Sequence, residues 1–308
     1  MNTTEEYRCS ASSILKSNGG EGMDFFIINT LSGLTYGMLL FLMASGLSIV
    51  FGLMRVINLA HGSFYLLGSY IAYAFVHNGF NFWLALILAT VIVMVLGLII
   101  ERLLISRIHG NETAQILLTV GLIFVIGDIT LWIWGGNFLS IPVPDLLSAT
   151  IQVGESQFPA YRLFVILMGV FFAALLWFFE NKTHVGMIVR AGVDDMEMVG
   201  ALGFNIKVIF SAVFIFGAGL AALGGVLGGP ILGMYPLMEF EILINALIIV
   251  LIGGLGSWKG AFIGAVLIGI IDAFGKIYIP SVSMLIIFGI MVIVLVIKPS
   301  GLFGEVEA

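Results

Sequence analysis

Hydrophobic positions along this chain fall into long runs rather than strand-like alternations. A membrane-spanning helix needs roughly 20 mostly apolar residues. Runs of that kind lie at about 25–53, 58–76, 82–100, 114–134, 161–179, 208–229, 242–255, 260–275 and 281–297. That makes eight or nine spans, because the seventh and eighth runs are short and joined by the glycine-rich stretch Gly253–Gly260. They are either two spans or one broken element. All seven prolines (Pro142, Pro144, Pro159, Pro230, Pro236, Pro280 and Pro299) stand at or beyond run ends, where they break no helix. The glycines sit inside the runs instead. Three four-residue ladders stand out: Gly33/Gly37, Gly217/Ala221/Gly225/Gly229 and Gly256/Gly260/Gly264. That spacing puts small residues on one helix face and lets backbones approach. It serves helix packing first, and a subunit contact or solute path otherwise. The pattern predicts an all-α fold, a polytopic transmembrane helix bundle of about 8–9 spans with Gly-rich broken or re-entrant helices. A polar tail (1–24) precedes the transmembrane domain (25–300), which carries a charged loop at about 180–207. A short C-terminal tail (301–308) follows.

Composition narrows the class. Of 308 residues, 60% are hydrophobic and 10% charged, with a mean hydropathy of +1.17; soluble domains average about 25% charged. A soluble enzyme and a disordered chain are excluded. So is a nucleic-acid binder, since only 12 scattered Lys and Arg stand against 18 acids. One cysteine, Cys9, rules out an internal disulfide or a cysteine metal cluster. Residues 1–22 lack an apolar core and are not a signal peptide. Met23, where the hydrophobic pattern begins, is a second candidate start beside Met1. Loops near Arg55, Arg102/Arg107, Lys182/Arg190/Lys207, Lys259 and Lys298 alternate with loops poor in Lys and Arg. By the positive-inside rule the rich set is cytoplasmic. With nine spans the N-terminus is then outside and the C-terminus cytoplasmic, with Arg162 and Lys276 as exceptions.

Several chemistries are missing. Gly275-Lys276 is followed by Ile277 and lacks the upstream glycine spacing of a phosphate-cradling loop. No metalloprotease or serine-hydrolase motif occurs, and His61, His77, His109 and His184 are scattered. No catalytic or metal site is expected, and no cofactor is expected on this chain. Asp272 and Lys276 stand four apart and suit an ion pair, while Asp128 falls near the outer end of the fourth run.

The first informative stretch is Gly46–Tyr70, GLSIVFGLMRVINLAHGSFYLLGSY. Asn58, His61, Gly62 and Ser63 interrupt the hydrophobic pattern between two helices. Either Asn58 caps a plain cytoplasmic turn, or this is non-helical backbone lining a cavity and contacting a solute. The second is Glu180–Lys207, where Asp194–Leu202 suits a short amphipathic helix. Asp194 and Asp195 fit its N-terminus and Gly203 its C-terminal end; Glu197 lies away from its apolar side. Charge content alone favours a merely solvated loop. The third is Leu251–Gly264, LIGGLGSWKGAFIG, where glycines permit turns closed to other residues.

The first stretch resembles the N-terminal signature of branched-chain amino-acid ABC transporter permeases, the LivH-type subunit. Gly46, Leu47, Phe51, Gly52, Asn58, Ala60, His61, Gly62, Gly68 and Tyr70 carry the resemblance. Arg190, Ala191, Gly203, Phe204 and Asn205 match the family's cytoplasmic coupling loop, though its usual alanine is Met198 or Val199 here. Gly253, Gly254, Gly256, Ser257 and Gly260 match its second-half glycine turn. The resemblance spans about Leu31 to Gly304 and implies a permease subunit of an ABC importer in the plasma (cell inner) membrane. It implies a LivM-type partner permease, two cytoplasmic ATPase subunits that use the ATP, and an extracytoplasmic solute-binding protein. Asn58, His61, Gly62, Ser63, Gly254, Gly256 and Ser257 become translocation-path candidates. Arg190, Asp194, Asp195, Glu197, Gly203, Phe204 and Asn205 become ATPase-coupling candidates. The alternatives are an ion-coupled secondary transporter of a small polar solute and a related ABC permease for urea or short amides.

Overall fold

The computed structural model describes residues 19–54, 58–108, 110–154, 156–194 and 196–304. Eleven α-helices occur among the described residues. They are α1 (Gly19–Met54), α2 (His61–His77), α3 (Phe82–Leu103), α4 (Glu112–Trp134), α5 (Ala160–Lys182), α6 (His184–Asp194), α7 (Met196–Ala201), α8 (Ile206–Leu232), α9 (Met238–Gly253), α10 (Trp258–Tyr278) and α11 (Ser283–Ile297). Each of the nine hydrophobic runs is a helix. Seven are long and apolar enough to cross a membrane, α11 together with the 3-10 turn before it, as the 18-residue span Pro280–Ile297. The other two, α2 with 17 residues and α9 with 16, extend only about 25 Å at 1.5 Å per residue. A small addition to the all-α expectation is the antiparallel hairpin β1 (Thr150–Val153) and β2 (Ser156–Pro159) between α4 and α5.

Helix α1 is the centre of the bundle, packed by α5, α8, α9 and α10. Its residues 37–48 are buried without interruption, as befits a helix apolar all round. The glycine ladders are the packing surfaces. A Cβ on Gly37 would lie 2.5 Å from the Ala265 carbonyl oxygen, and one on Gly33 would lie 2.8 Å from that of Gly269. Gly217 abuts Gly46, and Gly225 abuts the Tyr65 backbone. Lipid chains are as apolar as leucine, so tight van der Waals approach is what drives such helices together.

The question of one or two elements at Gly253–Gly260 resolves as two helices. Gly260 lies against the Gly253 backbone, and Gly264 against the Ile249 carbonyl, making α9 and α10 an antiparallel pair. One boundary differs from expectation: α8 runs past Pro230 to Leu232. Proline in the last turn removes only one ladder donor. Side chains serve neighbouring carbonyls, Tyr161 donating to Leu227 O (2.9 Å) and Ser140 to Gly229 O (3.3 Å).

Gly225→Ala should destabilise the detergent-solubilised protein by about 1–3 kcal/mol, the usual cost of overpacking. Gly121→Ala in α4 meets nothing within 4 Å and should be neutral or stabilising by up to about 1 kcal/mol. Thermal unfolding of the two variants checks this; equal shifts would refute glycine-mediated packing.

Candidate functional site

The break between α1 and α2 gathers buried polar side chains in the interior. Asn58 (4% exposed), His61 and Ser63 (both 0%) are buried, as is Ser48 on α1. The side-chain polar atoms of Ser48, Asn58, His61 and Ser63 make no hydrogen bond of ordinary geometry; the Met43 carbonyl is within electrostatic reach of the His61 ring. Asn58 does not cap α2. Ala60 is the N-cap and makes no side-chain cap bond, while the Asn58 backbone carbonyl accepts from the His61 N–H (3.1 Å). A Cβ on Gly46 would lie 2.9 Å from His61 Nε2. His61 therefore stands beside Gly46, about 12 Å along α1 from its end at Met54, so α2 starts inside the bundle. Arg55 lies outside the described residues. Unmet buried polar groups are uncommon and call for an explanation such as water or solute.

Gly62 extends this feature. A Cβ there would meet the Glu239 carbonyl oxygen at 2.5 Å and Leu243 Cβ at 3.1 Å. The N-terminal turns of the two short helices, α2 and α9, thus touch. Glu239 is itself 2% exposed, with Oε2 unpartnered. It is absent from the expected site because the seventh run begins at about 242. An acid just upstream of a short apolar run was the available signal.

Gly254, Gly256 and Ser257 are not brought to this cluster. Gly254 (φ 103°) and Gly256 (φ 82°) form a left-handed turn, and Ser257 caps α10 by accepting from Gly260 N–H (3.1 Å). The C-terminal segment clasps the turn: Leu302 N–H donates to Ile252 O (2.8 Å) and Phe303 N–H to Gly253 O (2.9 Å). Gly256 approaches Gly52, about 9 Å along α1 from Gly46.

The charged loop folds as α6 and α7. Asp194 ends α6 rather than starting the second helix; Asp195 lies outside the described residues, and so do the side chains of Asp194 and Glu197. Gly203 (φ 89°) closes α7 as expected. Its N–H donates to Gly200 O (3.0 Å) and that of Phe204 to Val199 O (3.4 Å), the Schellman arrangement. Asn205 then caps α8 through Lys207 N–H (3.1 Å). Arg190 donates to the Glu180 carbonyl (2.8 Å). The Glu180 carboxylate accepts from Trp258 Nε1 and pairs with Lys259 (3.6 Å). Val193 reaches Gly52. The loop is thereby tied to the starts and ends of α1, α5 and α10. Met198, Leu202 and Phe204 remain exposed beside it.

The two charge exceptions are paired within the bundle. Lys276 bonds Asp272 at 2.7 Å, the expected i,i+4 pair, and stands 5.1 Å over the Tyr36 ring. Arg162 donates to Ser32 (3.0 Å). Another buried polar pair, Ser211 donating to Glu101 (2.6 Å), links α8 to α3.

A polytopic helical bundle with seven helices long and apolar enough to cross a membrane, and with polar helix starts in its interior, defines a multi-pass membrane protein. Comparison with known proteins gives the family. Residues 29–295 match the family described as branched-chain amino acid transport system / permease component. The chain is 30% identical to the high-affinity branched-chain amino acid transport system permease protein BraD of Pseudomonas aeruginosa, covering 92% of this chain and 97% of the relative. It is 29% identical to LivH of Escherichia coli K12, with the same coverage of each. It is 26% identical to LivM of that organism, over 87% of this chain and 68% of LivM. Among solved structures it is similar to PsaBC from Streptococcus pneumoniae in complex with Fab, with a TM-score of 0.50, 13% identity and 98% of both chains covered; that likeness concerns the fold alone. The chain belongs to the branched-chain amino acid transport permease family, whose members are permease subunits without an ATPase site of their own.

Gly203→Ala should cost about 1 kcal/mol, the penalty of a side chain in the left-handed region. Amide exchange at Gly203 and Phe204 should then quicken about fivefold. Unchanged exchange would mean that the motif does not hold α7.

Proposed function

We propose that this chain is one of two permease subunits of an ABC importer that carries branched-chain or related amino acids across the plasma membrane. The observation that carries the reading is the family match over residues 29–295. Similarity to both LivH and LivM supports a partner of related sequence, each subunit supplying half of the path. Two cytoplasmic ATPase subunits bind and hydrolyse the ATP, and an extracytoplasmic binding protein delivers the solute. Arg190, Lys259 and Lys298 gather at the bundle end that holds α6, α7 and the C-terminal segment, which supports a cytoplasmic C-terminus.

Mechanistically, the loop of α6 and α7 is the coupling element. Closure of the ATPase dimer pushes on the exposed Met198, Leu202 and Phe204. The Glu180 contacts to Arg190, Trp258 and Lys259 carry that push to α5 and α10. The touching starts of α2 and α9 line the path. Their unmet polar groups give a passing zwitterion hydrogen-bonding partners that the surrounding apolar side chains do not. Half-helix starts at depth serve the same purpose in other transporters.

Mild-detergent purification from native membranes should recover a second permease and two ATPase subunits with this chain. Recovery of the chain alone, under conditions that keep a known ABC complex intact, would overturn the proposal. Asn58→Leu with His61→Leu should reduce amino-acid uptake in proteoliposomes by about tenfold or more, the worth of one or two hydrogen bonds to charged groups, while the ATPases still co-purify. Undiminished uptake would restrict the break to a structural role.

A further inference from the structure

We propose that Glu239 is the contact for the ammonium group of the transported amino acid, in a cleft between α4 and α9; this rests on the amino-acid importer reading above. The cleft holds about 50 Å³ and is lined by Tyr70, Phe124, Gly127, Asp128, Leu131, Glu239 and Phe240, among others. It combines one buried carboxylate with an apolar wall, the Phe124 and Phe240 rings lying 5.6 Å apart.

Three observations converge on it. Glu239 is 98% buried, since its exposure is 2%, and its Oε2 has no partner. Removing a carboxylate oxygen from water without a partner is costly, and an entering cation would relieve that cost. Gly127 makes the room: a Cβ there would stand 2.7 Å from Glu239 Oε1. The cleft also lies below the membrane interface. Asp128, exposed beside it, stands about 6 Å along α4 from the exposed Trp132, a residue suited to that interface. Acidic side chains within a span face protein or a water-filled cavity, not lipid, so the α4–α9 face is turned to the partner permease or to the path between the two.

The chemistry selects a class of ligand. The carboxylate accepts from a primary ammonium. Phe124 and Phe240 offer ring faces to the same cation and apolar surface to an aliphatic side chain. Leu131 adds aliphatic surface. An amine on a short branched hydrocarbon satisfies every part, whereas an acid on the same skeleton leaves Glu239 unpaired.

Dicyclohexylcarbodiimide, which attaches covalently to carboxyl groups in apolar surroundings, is the probe, applied to the wild-type protein in native membranes. Mass spectrometry should find the label on Glu239. Leucine and 3-methylbutylamine should each slow that labelling about tenfold or more, as expected for a charged hydrogen bond, and 4-methylpentanoate should not. Protection by none of them, or equal protection by the acid, would overturn the proposal. Glu239→Gln should lower leucine uptake by the reconstituted complex about tenfold or more, with ATPase co-purification unchanged; full uptake would also overturn it. Loss of ATPase co-purification from the wild-type chain would instead count against the importer reading, and the labelling result would still decide the site.

Discussion

Everything in this bundle follows from helices packing against helices without the hydrophobic effect to press them together. In a membrane the backbone must satisfy itself within each helix, and attraction between helices comes from close van der Waals fit. Here the fit is made by leaving side chains out. Gly33 and Gly37 let α10 onto α1, Gly217 and Gly46 let α8 onto it, and Gly225 and Gly68 bring α2 onto α8. Because α1 takes part in several of these contacts, it is buried all round through its middle third. The other helices are arranged about it.

That economy makes the polar exceptions informative. A bundle held by dispersion gains little from buried hydroxyls, imidazoles and carboxylates unless they are paired. Most here are: Lys276 with Asp272, Ser211 with Glu101, Tyr161 with the Leu227 carbonyl in the proline-containing turn. The unpaired ones concentrate at two helix starts. Short helices explain why. A helix of 16 or 17 residues cannot reach both interfaces, so at least one end of α2 and of α9 falls within the bundle. The first-turn residues that would be solvated on a longer helix are thereby carried inside.

Much of this was legible in the sequence, for physical reasons that also mark the limits. Spans were readable because lipid demands an uninterrupted apolar run, and Asp272/Lys276 because a fixed helical pitch makes spacing a contact. Gly203 was readable because few residues tolerate its backbone angle. Asn58 and His61 were legible as a break in the pattern, but not as buried side chains without hydrogen bonds, since what surrounds them comes from α1, α8 and α9, elsewhere in the chain. Glu239 escaped because a hydropathy window discards the acid that begins a short run. The extension of α8 past Pro230 escaped for the opposite reason: the rule against interior proline weakens in a last turn whose carbonyls have side-chain donors. The end of α6 at Asp194 shows that one acid can close one helix as readily as open the next when a single residue separates them.

The division between the two glycine turns bears on how such a protein can move. The Gly253–Gly256 turn is fastened on three sides, by the C-terminal segment, by Gly52 and by the Ser257 cap, while Glu180 holds the adjoining residues Trp258 and Lys259. At the junction of α2 and α9 no hydrogen bond crosses among the described residues: Gly62 touches the Glu239 backbone, and the side chains about it leave polar atoms unbonded. Rigid coupling requires the first property, since a push on α6 and α7 must arrive at α5 and α10 undiminished. A path that opens and closes requires the second, since each bond made in one state must be broken to reach the other. Fastened turns at one end and unbonded helix starts in the interior are thus two halves of one requirement, met in this chain by glycines that turn the backbone at Gly254 and Gly256 and by a glycine, Gly62, that lets two helix starts touch.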